Sequence, residues 1–288
     1  MRLVKKLEDS QVCVIGLGLI GGSLALALRG KCASIVGYDV DPRVIEAALT
    51  RGMIDRGLTS LADAPGEIDL VILAAPVGAI LDLIPKLPGL IPHPFHLLDL
   101  GSTKSMIADA MNRLPERVSA LGGHPMCGKE MSGLDAADRN LFRDSVFALT
   151  PLDRTLPTTL ALVQQVVAAV GARPLILDPV RHDRLAAAIS HVPYLTSAAL
   201  IAAAARADDE RVWTMAAPGF RDSTRLAASN VTVMLDILMS NAPAVLESLA
   251  RVQASLGELA ALIEQGDETK LRSILEASQS RRAGMFHT

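Results

Sequence analysis

Between residues 12 and 177 the chain alternates short β-branched apolar runs with longer stretches in which apolar residues recur every three or four positions. The runs at 12–15, 34–38, 70–74, 96–100, 118–121, 146–149 and 174–177 are predicted to be strands, most of them joined through helices. Runs without polar alternation must be covered on both faces, and helical connections make successive strands parallel. The pattern therefore predicts a doubly wound α/β domain, with later strands turning antiparallel at the edge. After Asp178-Pro179 the strand pattern stops, and Ala- and Leu-rich helical periodicity continues almost to the C-terminus. The expected division is a dinucleotide-binding domain over residues 1–178 and an all-helical substrate and dimerisation domain over 179–288. Val245, Leu246, Leu249, Val252, Leu256, Leu259, Leu262 and Ile263 fall at helical steps and form one wide apolar stripe. Such a stripe needs a partner surface, which makes a homodimer through the helical half an expectation.

Composition narrows the function classes. Half of the 288 residues are hydrophobic and 20% are charged, enough apolar material for a well-filled core. A formal net charge of −3 and the absence of a basic stripe argue against a nucleic-acid partner and favour a small-molecule substrate. Residues 1–6 lead into acidic positions instead of a signal-peptide core, and no uninterrupted apolar run reaches about 20 residues, so no membrane association and a cytoplasmic location are expected. Cys13, Cys32 and Cys127 lack metal or disulfide spacing, so no metal site is expected.

The sharpest chemical signal near the N-terminus is Gly16-x-Gly18-x-x-Gly21, which leads from an apolar run into a Leu- and Ala-rich helix. Gly16 permits a tight turn, Gly18 lets the backbone approach a pyrophosphate, and Gly21 allows close packing of helix and strand; Leu19 and Ile20 lie at the helix N-terminus facing the phosphates. Asp39 ends the second run about 20 residues later, where a carboxylate accepts hydrogen bonds from the adenosine ribose. NAD is therefore expected in preference to NADP, although Arg43 leaves a 2′-phosphate partner open. Asp41-Pro42 reads as the cap and first turn of the next helix. Ala75 and Pro76 follow the third run, where small residues let the backbone pass beneath the cofactor.

Candidate chemistry lies further along. Ser102 and Lys104 follow the fourth run, and His124 sits in the small-residue stretch Gly122-Gly123-His124-Pro125-Met126-Cys127-Gly128-Lys129-Glu130 after the fifth. In an open α/β sheet these strand ends border the ligand crevice. A histidine there can take a proton from a substrate hydroxyl while hydride leaves the adjacent carbon, and a serine can orient its imidazole or the nicotinamide amide. Singly, Ser102 also suits a helix cap and Lys104 a solvated cation. Two polar clusters interrupt the helical half, Ser190-His191-Val192-Pro193-Tyr194 and Gly219-Phe220-Arg221-Asp222-Ser223-Thr224-Arg225. The arginines could clamp a carboxylate, or Asp222 could simply pair with its own neighbours; His191 could equally be a core histidine.

Taken together and in order, GxGxxG, Gly101-Ser102-x-Lys104, GGHPMCGKE, Ser190-His191-x-Pro193 and GFRDSTR resemble the prephenate/arogenate dehydrogenase family of tyrosine biosynthesis, over nearly the whole chain. The resemblance implies NAD-dependent oxidative decarboxylation of prephenate to 4-hydroxyphenylpyruvate, or of arogenate to tyrosine. It implies that His124 hydrogen-bonds and polarises the ring hydroxyl, that Ser102 holds that imidazole and the nicotinamide in register, and that Arg225 binds the ring carboxylate. Arg221 is a further carboxylate candidate, His191 faces the substrate side chain, and Asp222 orients His191. Lys129 and Cys127 depart from the family's usual residues in the loop after the histidine, and Lys129 is placed among the substrate contacts. A β-hydroxyacid or imine dehydrogenase of similar build, or a non-catalytic NAD-sensing protein, are the alternatives; the former families carry a catalytic lysine in the helical half, and no comparable lysine motif follows residue 179.

Overall fold

The computed structural model describes residues 5–64, 67–129 and 131–285. Eight strands form one sheet: β1 (Gln11–Ile15), β2 (Ser34–Tyr38), β3 (Arg56–Leu58), β4 (Leu70–Leu73), β5 (Phe95–Asp99), β6 (Val118–Pro125), β7 (Val146–Pro151) and β8 (Arg173–Ile176). Their spatial order is β3-β2-β1-β4-β5-β6-β7-β8. Every pairing is parallel except β6 with β7. The first six strands thus have the order of a dinucleotide-binding sheet, and the order in which strands are added reverses between β1 and β4, where such sheets open a crevice at their carboxyl ends.

Helices α1 (Leu19–Leu28), α2 (Pro42–Thr50), α3 (Val77–Leu83), α4 (Leu87–Leu90), α5 (Ser105–Asn112) and α6 (Pro157–Ala169) cover the sheet. Strand pleating sends alternate side chains to opposite faces. Val12 and Val14 of β1 join α1 and α6 in one buried core, whereas Cys13 and Ile15 join residues of α3 and α5 in the other. Asp41 caps α2 by accepting the Arg43 amide at 2.9 Å, with Pro42 in the first turn, as its sequence suggests.

Six of the expected strands lie within a residue or two of their predicted ends. The fifth apolar run differs: β6 continues through Gly122, Gly123 and His124 to Pro125, so the histidine belongs to the strand and pairs with Ala148 of β7. The two glycines are there for space. A Cβ on Gly122 would lie 2.2 Å from Thr150 Oγ1, and one on Gly123 would lie 2.9 Å from Leu98 Cδ1. Strand β3, three residues long, carries too little pattern to be read from sequence.

Beyond β8 come α7 (Pro179–Ala186), a π-helical turn (Ala187–His191), α8 (Val192–Ala204), α9 (Arg211–Thr214), α10 (Pro218–Thr224), a 3₁₀ turn (Arg225–Ala228), α11 (Val231–Ser240), α12 (Ala242–Gln265) and α13 (Glu268–Gly284). Asp178 caps α7 through the Arg181 amide at 2.8 Å. The continuous helical stretch Pro179–Ala204 has 26 residues and a window of mean hydropathy 1.5, long and apolar enough by length and composition to cross a membrane. Counting uninterrupted apolar residues overlooks it, because Ser190, His191, Tyr194, Thr196 and Ser197 break the run. The chain packs as two units, Met1–Ala242 and Pro243–Thr288. Helices α7 and α11 pack on α5 and α3 and so fall in the first unit. In the second, Gly266 turns the chain with φ +66 and Asp267 caps α13 by accepting the Lys270 amide at 3.0 Å.

Candidate active site

The β1–α1 turn is shaped for a dinucleotide by steric exclusion. Gly16 has φ +92, and a Cβ there would lie 2.4 Å from the Ala74 carbonyl oxygen; a Cβ on Gly21 would lie 1.8 Å from the Gly16 carbonyl oxygen. Only glycine at both lets α1 close on the strand ends. Gly18 is different: it is the N-cap of α1, makes no side-chain cap, and has open space where a Cβ would stand. The first amides of α1 are thus left for an anionic group, the arrangement that suits a pyrophosphate. One Asp39 oxygen accepts the Leu17 amide at 2.8 Å and the other the Asp41 amide at 3.0 Å, which fixes the carboxylate at the end of β2. Arg43 is engaged by Asp41, with Nε to Oδ1 at 3.0 Å and a terminal nitrogen to Oδ2 at 2.7 Å.

A cavity of about 620 Å³ opens beside this turn. Gly18, Leu19 and Ile20 line one wall, Ala75 and Pro76 another, Ser102 and Lys129 border it, and the segment from Ala228 to Asn230 with Val233 of α11 faces them. Lys129 is not a free cation, since its ammonium donates to Asp138 at 2.9 Å. Glu130 lies outside the described residues.

His124 stands at the carboxyl end of β6, beside the strand whose following loop bears Ser102. Its Nδ1 lies 2.9 Å from His182 Nε2. His182 Nδ1 in turn meets Asp183 Oδ1 at 2.9 Å. Asp183 also accepts the amides of Lys104 at 2.7 Å and Ser105 at 2.8 Å, which joins α7 to the start of α5. Burial, followed by repulsion from His182, Lys104 and His191, holds the His124 imidazole well below its ordinary pKa, with Asp183 partly opposing. It is neutral near pH 7. That state can accept a proton.

His191 ends the π-helical turn and is 1% exposed. Its Nδ1 lies 3.2 Å from Asn241 Nδ2, which also donates to the Asp183 carbonyl at 2.8 Å. Burial lowers the His191 pKa to about 4. The expected orienting role of Asp222 does not hold: Asp222 is exposed and faces Arg221 at 3.6 Å, because both project from the solvent side of α10. Arg225 opens the 3₁₀ turn that leads into the cavity-lining residues from Ala228 onward.

Of the two readings of Lys104, a member of the site or a solvated cation, the second does not hold. Lys104 is fully buried, contacts Asp99 Oδ1, and donates to the Gly123 carbonyl at 2.7 Å. Burial pushes Asp99 up and Lys104 down, and each charge opposes the shift of the other. The pair ties the end of β5 to the strand segment that carries His124. His182, Asp183 and Asn241 are the residues that sequence reasoning missed.

Residues 24–176 match the family model described as prephenate dehydrogenase, nucleotide-binding domain, and residues 178–277 match prephenate dehydrogenase, dimerization domain. The chain belongs to the prephenate dehydrogenase family. The first match begins after the glycine turn, which stands on its geometry. Relatives in the family include a prephenate dehydrogenase of Bacillus subtilis, 32% identical over 98% of this chain and 77% of that protein. The structure of Aquifex aeolicus prephenate dehydrogenase in complex with hydroxyphenyl propionate and NAD+ superposes with a TM-score of 0.91 at 32% identity, covering 97% of this chain and 99% of that one. Synechocystis arogenate dehydrogenase gives 0.82 at 31% identity, covering 95% and 99%.

Proposed function

We propose that this member of the prephenate dehydrogenase family catalyses NAD-dependent oxidative decarboxylation of prephenate or arogenate on the route to tyrosine. The single observation that carries the reading is a neutral, partly exposed His124 at a strand end beside a glycine-built dinucleotide turn. Gly16, Gly18, Leu19, Ile20 and Gly21 would hold the pyrophosphate, Asp39 the adenosine ribose, and Ala75, Pro76 and Ser102 the nicotinamide end. Bound NAD+ supplies the hydride acceptor. The Asp39 carboxylate, fixed at the end of β2, supports NAD over NADP, because it suits the ribose hydroxyls and repels a 2′-phosphate.

His124 accepts the proton of the ring hydroxyl as hydride leaves the same carbon. It returns that proton to the oxygen when carbon dioxide departs and the ring becomes aromatic. Arg225 pairs with the ring carboxylate and orients it for loss, Arg221 standing as a second candidate, while His191 and Lys129 border the substrate side chain. The functional division falls at residues 1–178 and 179–288, although α7 to α11 fall in the same compact unit as the sheet. Side chains of α11 and α12 that remain exposed, among them Leu235, Met239, Leu246, Leu256 and Ile263, support a homodimer through the helical half. Analytical ultracentrifugation checks this, a monomer at micromolar concentration counting against it. The polar side chains His182, Asp183 and His191 on the long apolar stretch belong to the site just described, which favours a cytoplasmic enzyme over a membrane-bound one.

The testing experiment follows NADH or NADPH formation by the purified protein with prephenate and with arogenate. Turnover of at least one substrate with a preference for NAD+ is expected. No reduction with either would refute the reading.

A further inference from the structure

The cluster of His124, His182 and Asp183 determines more than a position. Burial pushes the Asp183 carboxyl up, but hydrogen bonds from His182, Ser105 and Lys104 outweigh it and hold the group below its ordinary range. Ionised Asp183 can only accept, so the hydrogen between it and His182 sits on His182 Nδ1. With that one hydrogen on the His182 ring, the opposite nitrogen, Nε2, is a bare acceptor. Its 2.9 Å contact with His124 Nδ1 requires the hydrogen to lie on His124 Nδ1. His124 Nε2 is left with its lone pair free. Both members of the relay are almost fully enclosed, His182 at 2% and Asp183 at 3% exposure, so water does not compete for these bonds. The two rings meet edge to face, with centroids 5.0 Å apart.

We propose that His182 and Asp183 are positioning residues for proton transfer, together holding His124 in its Nδ1–H tautomer with Nε2 open to the substrate, while the Asp183 carboxylate offsets the positive charge that the arriving proton creates. The proposal rests on the reading of His124 as proton acceptor. As the substrate O–H bond breaks, its proton bonds to His124 Nε2. The neighbouring C–H electron pair leaves as hydride to NAD+, and the carbon–oxygen bond becomes a carbonyl. The imidazolium keeps its Nδ1–H on His182, whose far side faces the Asp183 carboxylate. When carbon dioxide leaves, its bonding pair enters the ring, the oxygen takes the proton back, and His124 returns to its starting tautomer.

The remaining titratable or charged groups around the pair are Lys104, with its partner Asp99, and His191. His182, Lys104 and His191 disfavour a charged His124, and Asp183 is the group that opposes them. The same carboxylate accepts two amides at the start of α5, so the residue that sets the tautomer also holds the loop bearing Ser102.

Substitution D183N tests this directly, because its side-chain amide would donate to His182 Nδ1 and reverse both imidazoles. In the holoenzyme with NAD+, ¹⁵N spectra of the wild type should show His124 as the Nδ1–H tautomer, and D183N should convert it to Nε2–H. In parallel kcat should fall by about 10²–10⁴-fold, as when a catalytic histidine is held in the wrong tautomer, with KM for NAD+ little changed. H182Q, whose carbonyl can still accept from His124 Nδ1, should keep more kcat than H182L. A wild-type His124 in the Nε2–H tautomer, or D183N with wild-type kcat, overturns the relay; the wild-type spectrum decides even if a variant fails to fold. H124N measured alongside separates the two claims. If H124N is itself near wild type the acceptor reading falls, whereas an inactive H124N beside a normal D183N removes the relay alone.

Discussion

The dinucleotide turn and the histidine cluster border the same end of one sheet, yet they are specified in opposite ways. The turn is made of backbone: Gly16 and Gly21 matter for what a side chain would strike, and all of its essential residues lie within six positions. The cluster is made of side chains brought from β6, α7, the π-helical turn and the end of α11, over more than a hundred residues of chain. A site built by excluding Cβ atoms leaves a local signature in the sequence. A site built by hydrogen bonding between distant elements leaves only scattered polar residues.

Breaking the second kind of site should cost the most activity with the least structural damage. For H124N we expect kcat to drop by about 10²–10⁴-fold, the range for loss of a general base, with NAD+ affinity unchanged by calorimetry. A near-normal kcat would take His124 out of the chemistry. Breaking the first kind should act on structure instead. Gly21→Ala drives a methyl group into the Gly16 carbonyl and should cost about 1–3 kcal/mol, with occasional larger values for such overpacking, seen as a lower Tm. Gly18→Ala meets open space and should leave Tm unchanged while weakening NAD+; equal losses of Tm in both variants would contradict the steric account.

The substrate contacts should give intermediate effects. Arg225→Ala is expected to raise KM for prephenate or arogenate by about tenfold or more, as for loss of one partner of a charge-assisted pair, and an unchanged KM would reassign it to structure. The histidine cluster should also shape stability against pH. His191 has its pKa lowered from 6.5 to about 4 by burial, and His124 is shifted the same way. As pH falls through the window from about 6.5 to 4, the unfolded chain binds protons that the folded state refuses, so stability declines with acidity there. Denaturant titrations across that window should show a shallower decline in His191→Asn. The smallest effect is expected at Asp222, whose pairing with Arg221 is exposed on both sides; a large change in kcat for Asp222→Asn would restore it to the site.

Much of the fold was legible because buried strands covered on both faces must be continuous apolar runs, a rule that β1, β2, β4 and β5 follow. Gly122 and Gly123 misled, since glycine pairs read as loop whereas here they are strand residues thinned to fit beneath Thr150, Leu98 and Phe147. Lys104, His182 and Asp183 are hard to read for the converse reason. Charged residues near a helix start look solvated until an opposing element supplies partners, and in Pro179–Ala186 the His-Asp pair is buried while Arg181 and Arg184 remain exposed. Nothing in the local pattern distinguishes those two halves. Only the packing of α7 against α5 does so.

The central claim is that oxidation and decarboxylation occur together at this site. It is tested most directly by supplying substrate carrying ¹³C in the ring carboxyl group and measuring NADH and labelled carbon dioxide from the purified protein in the same vessel. The account predicts equal yields of the two, matching the substrate consumed. NADH without labelled carbon dioxide, or no NADH with either prephenate or arogenate, would contradict it.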